Sequence, residues 1–146
     1  MSGASPYVSI VLTGRNDDHG AEFRTRFFRT LEFNHRELAA RGVDHEFVLV
    51  EWAPQNGRSL LVDLVADAVP SLNPDCFRGI VVDPQYQDAF SLNARMSYLE
   101  YIAKNVGIRR AAGMFVLSTN CDVILGRRVL EALEQKTFEP RVIYRA

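Results

Sequence analysis

Lys104-Asn105-Val106-Gly107-Ile108-Arg109-Arg110-Ala111-Ala112-Gly113-Met114-Phe115-Val116-Leu117-Ser118-Thr119-Asn120-Cys121-Asp122 is the stretch that decides the fold. It reads as the end of a helix, a glycine turn at Gly113, a strand over Met114–Thr119 and a polar tip at Asn120–Asp122. The strand is apolar through Leu117, and Ser118 and Thr119 close it. So short and apolar a run suits a strand covered on both faces, as in a parallel sheet. A carboxylate just past the carboxyl end of such a strand stands where open α/β sheets bind ligands. Asp122 is therefore the first candidate for a ligand or metal contact.

The rest of the chain repeats the pattern. Tyr7–Leu12 is an apolar strand that runs into a polar loop, Thr13 to Gly20, where Asp17 or Asp18 is placed to cap the next helix. That helix spans Ala21 to about Arg41, with Phe23, Phe27, Leu31 and Leu38 on one face and Gly42 as its stop. Phe47–Val50 is the second strand and leads into Glu51-Trp52. Ser59 reads as the cap of a short helix through Ala68, and Phe77–Val82 is the third strand. Gln85–Phe90 reads as a loop, and Ser91 to about Ala112 as mostly helical, with Gly107 as a weak point. Gly126–Gln135 makes a last helix, and Arg141–Tyr144 is a candidate fifth strand.

Strand and helix alternate throughout. The expectation is one α/β domain over residues 1–146, a mainly parallel sheet with helices on both faces. Thr13, Arg15, Asn16, Glu51, Trp52, Asn120 and Asp122 then gather along one edge of the sheet.

Composition narrows the function classes. Of 146 residues, 47% are apolar and 24% charged, which suits a globular chain. Seventeen basic against eighteen acidic residues leave a net charge of −1, which gives no reason to expect a nucleic-acid partner. Cys76 and Cys121 have neither metal spacing nor a disulfide framework, and fit a reducing compartment. With no signal-peptide pattern and no run long enough for a membrane span, the expected location is cytoplasmic. No Gly-x-Gly-x-x-Gly follows the first strand, which disfavours a dinucleotide enzyme.

Four segments together resemble the nucleotide-binding half of GT-A-fold glycosyltransferases of the family 2-like group. Val8–Asp17 looks like that family's opening strand and its Pro-x-Tyr-Asn-Glu loop, although Gly14-Arg15 departs from the pattern. Phe47–Trp52 looks like its second strand with a terminal acid. Lys104–Ile108 with Ala111–Gly113 is similar to its Arg-Asn-x-Gly-x and Ala-x-Gly stretch. Asn120-Cys121-Asp122 lies where the family has Asp-x-Asp.

The resemblance implies a nucleotide-diphospho-sugar transferase fold and a UDP- or GDP-sugar ligand. It implies transfer of the sugar to a hydroxyl acceptor of unknown identity. It assigns Thr13, Arg15, Asn16, Glu51, Trp52, Lys104 and Asn105 to the nucleotide, and Asn120 and Asp122 to Mn²⁺ or Mg²⁺. Such ions favour oxygen ligands and help a diphosphate leave. As residues alone, each has a plainer use. Asp122 is a cap or turn residue, Asn120 a turn former and Glu51 a solvated strand end. Trp52 is a packing residue, Arg15 and Asn16 are solvated loop residues, and Lys104 and Asn105 shape a helix end. His35 and His45 read as surface or packing histidines, and Cys121 has no base beside it to make a nucleophile.

The resembling enzymes continue for roughly another domain half, which supplies the acceptor site and general base. No residue here matches that base, so none is assigned. The chain reads as an apparently truncated enzyme, with a non-catalytic nucleotide-sugar-binding module as the alternative. An oligomerisation module is the other alternative: a sheet lacking its covering half exposes an edge that a second copy would cover, giving a homodimer.

Overall fold

A computed structural model of the chain describes residues 5–17, 20–93 and 95–145. It contains four strands, β1 Val8–Gly14, β2 His45–Trp52, β3 Phe77–Val82 and β4 Phe115–Ser118. All pair in parallel in the order β3-β2-β1-β4. Val11, for example, stands beside Val48 on one side and Ser118 on the other. The central pair β1 and β2 is buried along its whole length, while β3 and β4 are half-exposed edges. The continuous apolar runs of the two central strands are the sequence trace of this two-sided cover.

The helices are α1 Phe23–Ala40, α2 Leu61–Ala68, α3 Pro84–Phe90, α4 Glu100–Ile108 and α5 Arg127–Glu134. One face of the sheet carries the larger core. There Ile10, Leu12, Phe47 and Leu49 meet Phe27, Leu31 and Leu38 of α1, Leu61 and Val65 of α2, and Leu130 and Leu133 of α5. On the opposite face Val50 and Trp52 pack with Leu99 and Ala103. The connections through α1 and α2 step outward from β1 toward β3. The connection through α4 returns across β2 and β1 to β4, and at constant hand such a reversal moves the helix to the other face. Ligands of open α/β sheets bind where this reversal parts the strand ends.

Gly107 explains how α4 fits. A Cβ added there would lie 2.5 Å from Val11 Cγ1 and 3.1 Å from Val50 Cγ2. The glycine is thus a close-contact residue in an unbroken helix. Past the helix, Gly113 rests on β1, and its N–H donates to Ser9 Oγ at 2.8 Å. Ser9 Oγ donates in turn to Glu46 Oε1 at 2.6 Å, and the same oxygen accepts from Ala112 N at 2.7 Å. This buried network fixes the turn that launches β4.

Several expectations are corrected. Gln85–Phe90, read as a loop, lies in α3: Asp83 Oδ1 accepts from Gln85 N at 2.9 Å and Pro84 takes the first helical position. The helix expected from Ser91 begins only at Glu100. Ahead of it, Ser91 Oγ donates to Asn93 O and Asn93 Oδ1 accepts from Arg95 N, local bonds that compete with helix. Leu60, not Ser59, stands at the start of α2. Asp17 binds Arg15 rather than capping α1, and Asp18 lies outside the described residues. Arg141–Tyr144 is not a strand. Arg141 turns the chain at φ 71°, and Tyr144 packs edge-on against Phe138 and accepts from Glu139 N. His35 and His45 pack together inside, with Nδ1 of His35 3.0 Å from Nε2 of His45. Among the described residues, no helix is long and apolar enough to cross a membrane.

Gly107→Ala tests the packing. Alanine gains at most about 1 kcal/mol of helix propensity over glycine, whereas a clash of this kind costs about 1–3 kcal/mol. We expect a net loss of stability, read as a lower melting temperature. A melting temperature equal to or above that of the parent would show that α4 does not lie this close to β1.

Candidate functional site

β1 and β4 part at their carboxyl ends, and a cleft of about 330 Å³ opens there. Its walls come from four segments. The β1 end gives Thr13, Gly14, Arg15 and Asp17, and α1 gives Phe23 and Arg26. The lead into α4 gives Ser97, Tyr98 and Glu100, and the tip after β4 gives Asn120, Cys121 and Asp122. Gly14 leaves room for Phe23 and Leu61, whose side chains would each lie 3.3 Å from a Cβ at that position.

Three ion pairs ring this cleft. The Arg15 guanidinium holds Asp17 Oδ2 through Nε at 2.9 Å and Nη2 at 2.7 Å, and donates from Nη1 to Ser97 O at 2.8 Å. It also lies over the Tyr98 ring, 5.5 Å from its centroid. Lys104 Nζ pairs with Glu100 Oε1 at 2.7 Å and donates to Asn120 Oδ1 at 3.0 Å. Arg26 Nε lies 3.6 Å from Asp122 Oδ2 in the most open of the three pairs. Cys121 is buried between them, and burial together with neighbouring Asp122 pushes its thiol up to about 12. It remains protonated at neutral pH and is no nucleophile. Burial likewise raises the Tyr98 phenol.

The structure brings Thr13, Arg15, Asn120 and Asp122 together at the cleft, with Lys104 reaching Asn120 from behind. It places the other four candidates elsewhere. Asn16 is buried and donates from Nδ2 to Ser59 O at 2.7 Å, tying the β1 loop to the approach to α2. Glu51 is 0% exposed, and its Oε2 accepts from Val62 N at 3.2 Å in the first turn of α2. Its other oxygen, Oε1, is buried and has no hydrogen-bond partner among the described residues. Burial raises the carboxyl above its ordinary value, opposed by the backbone N–H groups of Leu61, Val62 and Asn16. Trp52 is 1% exposed and donates from Nε1 to Gln87 Oε1 at 2.7 Å. Asn105 lines a second, more apolar groove of about 670 Å³ between β3, α3 and α4, with Ile80, Tyr86 and Phe90. That groove is larger, and Asp83, Arg109 and Arg110 also line it.

Sequence reasoning missed Arg26, Tyr98 and Glu100. For Arg26 the available signal is its position one turn from Phe23. Tyr98 lies in a segment misread as helix, so its direction was not legible. The walls carry two guanidiniums, Arg15 and Arg26, and three carboxylates, Asp17, Glu100 and Asp122, beside a hydroxyl and an amide.

The expected Mn²⁺ or Mg²⁺ was tested against these donors. Such ions take about six oxygens, usually with one or two protein carboxylates. Here Asn120 Oδ1 already accepts from an ammonium and Asp122 faces a guanidinium. Among the described residues no three His, Cys, Asp or Glu side chains cluster to hold an ion.

Glu51 generates a pH prediction. Its folded-state pKa lies above the ordinary 4.5, so between those values the folded chain binds more proton than the unfolded one. Its contribution to stability is present at low pH and is lost as pH rises through the raised value. We expect Glu51→Gln, which cannot ionise, to flatten that part of the stability curve between pH 4 and 8. Unchanged melting profiles in the two proteins would overturn this. Neither the scan against models of known protein families nor the search of curated proteins finds a match for this chain.

Proposed function

We propose that the chain is a glycosyltransferase-like domain that binds a nucleoside-diphosphate sugar in the cleft between β1 and β4. One observation carries this reading: Thr13, Arg15, Asn120 and Asp122, singled out by the resemblance, converge on one cleft at the point where the strand order reverses. An open parallel sheet binds its ligand there because strand ends and helix ends diverge and leave backbone and side-chain polar groups free to face it. The diphosphate is the part of the ligand that suits this cleft, since guanidinium forks match phosphate oxygens in charge and geometry. Glu51 and Trp52 are sealed under neighbouring side chains, so base recognition does not rest on them in this conformation. If a sugar is transferred, a hydroxyl oxygen of the acceptor bonds to the sugar carbon as the bond to the diphosphate breaks. We assign no residue to receive the acceptor proton.

Titration calorimetry of UDP, GDP and the corresponding nucleosides tests the reading. The diphosphates should bind and the nucleosides should not. Arg15→Ala should weaken binding about tenfold, the scale of one charge-assisted contact. A folded protein that binds neither diphosphate, with or without Mn²⁺, would end the nucleotide-sugar reading.

A second reading, an assembly module, is favoured by the outer edge at β4, where Met114 is 70% and Val116 42% exposed. Exposed apolar groups beside unpaired strand edges promote self-association. Sedimentation equilibrium should then report a dimer that Val116→Lys dissociates, and a monomer at high concentration would reject it.

A further inference from the structure

We propose that the buried imidazoles of His35 and His45 hold one proton beyond their neutral complement, and that this proton is a pH switch fastening the turn after α2 to α1. The pair stands at the start of β2, the opposite end of the sheet from the cleft, so the inference does not depend on what the cleft binds.

The two rings form a chain of three polar contacts. His45 Nδ1 lies 2.7 Å from Val43 O, His45 Nε2 lies 3.0 Å from His35 Nδ1, and His35 Nε2 lies 3.1 Å from Ser71 O. Both ends of the chain are carbonyl oxygens, which only accept. Each needs an N–H from the ring that faces it. The contact between the rings needs one more, on one nitrogen and not on the other. The chain therefore takes three N–H groups, whereas two neutral imidazoles carry two. A neutral pair leaves two lone pairs facing each other at one of the contacts. A doubly charged pair sets N–H against N–H between the rings. Only the pair with one added proton satisfies all three contacts. Both rings are buried, where an unmet polar contact is costly.

The surroundings assign the proton to His35. Burial does most to lower the His45 pKa; the Val43 carbonyl raises it, the charge on His35 lowers it, and Asp44, just before β2, raises it. Glu32 stands one turn before His35 on α1, and β1 presents Val8 beside His45. On the turn Pro74–Cys76, which packs against β2, Cys76 stays a neutral thiol because burial, Asp44 and Asp75 raise it. Protons reach the pair from the Ser71 end, which is exposed. As pH falls below the ordinary 6.5, the unfolded chain takes up two protons while His45 in the fold resists the second, so the pair's contribution to stability is lost in acid. As pH rises and the added proton leaves, one contact loses its N–H and the contribution falls again.

Nitrogen NMR of the full chain, labelled at histidine and with the signals of His19 removed by His19→Gln, tests the proton count. Near pH 6.5 the ring nitrogens of His35 and His45 should together carry three hydrogens. A count of two, or of four, would overturn the proposal, and it is read without altering either ring. Amide exchange reads the fastening. In His35→Gln, checked for folding by circular dichroism, the Leu72 N–H that donates to Val69 O in the turn should exchange faster than in the parent at the same pH. The expected factor is about tenfold, the scale of one charge-assisted contact. An unchanged rate would reject the switch. The melting-temperature difference between parent and His35→Gln should peak near pH 6.5 and shrink toward acid and base, and a difference independent of pH would reject it as well.

Discussion

The close approach of α4 to β1 and β2 is the constraint on which the rest of the structure depends. Most helices meet a sheet through layers of side chains. Here a glycine stands at the contact, and the valine side chains of two strands fill the space its Cβ would need. That contact sets the depth and rotation of the helix. One turn toward its start, Lys104 is thereby aimed at the end of β4, and Glu100 at the cleft. Beyond its end, the Ser9–Glu46 network receives Ala112 and Gly113 and starts β4 in register with β1. One wall of the cleft, with Glu100, follows from where this helix lies.

Electrostatics then divides the acidic and basic groups into two kinds. Glu51, with no exposed surface, is part of the framework. It meets the first turn of α2, where backbone N–H groups lack helical partners. Glu46 plays the same structural part at the opposite edge of the sheet, between β1 and the turn into β4. Charges at the cleft sit nearer to water and are paired across short distances. Exposed pairs contribute about 0–1 kcal/mol each, so they shape the field without adding much stability.

The order of elements was legible in the residues because the signals are local. Apolar runs of strand length, helical spacing of Phe23, Phe27, Leu31 and Leu38, and glycines at the breaks all depend on neighbours a few residues away. The errors were local as well. Asp83-Pro84 starts a helix where Gln85–Phe90 reads as a loop, and the turn at Asn93 delays the helix expected from Ser91.

From the chain alone, then, came the alternation of strand and helix, the parallel sheet it requires, and the gathering of Thr13, Arg15, Asn120 and Asp122 at one edge. Only the tertiary structure decided what each polar side chain meets. Glu51 and Trp52 end β2 and Asn16 follows β1 by two residues, yet all three are buried. Lys104 and Asp122 have the spacing of ligand contacts, yet Lys104 is held by Glu100 one turn earlier and by Asn120 beyond β4, and Asp122 faces Arg26 of α1. A sequence carries the periodicity that folds its own segments. The partner of a charge is set by the packing of segments far apart in the chain, and the Lys104 ammonium reaches Asn120 only because α4 lies against the sheet.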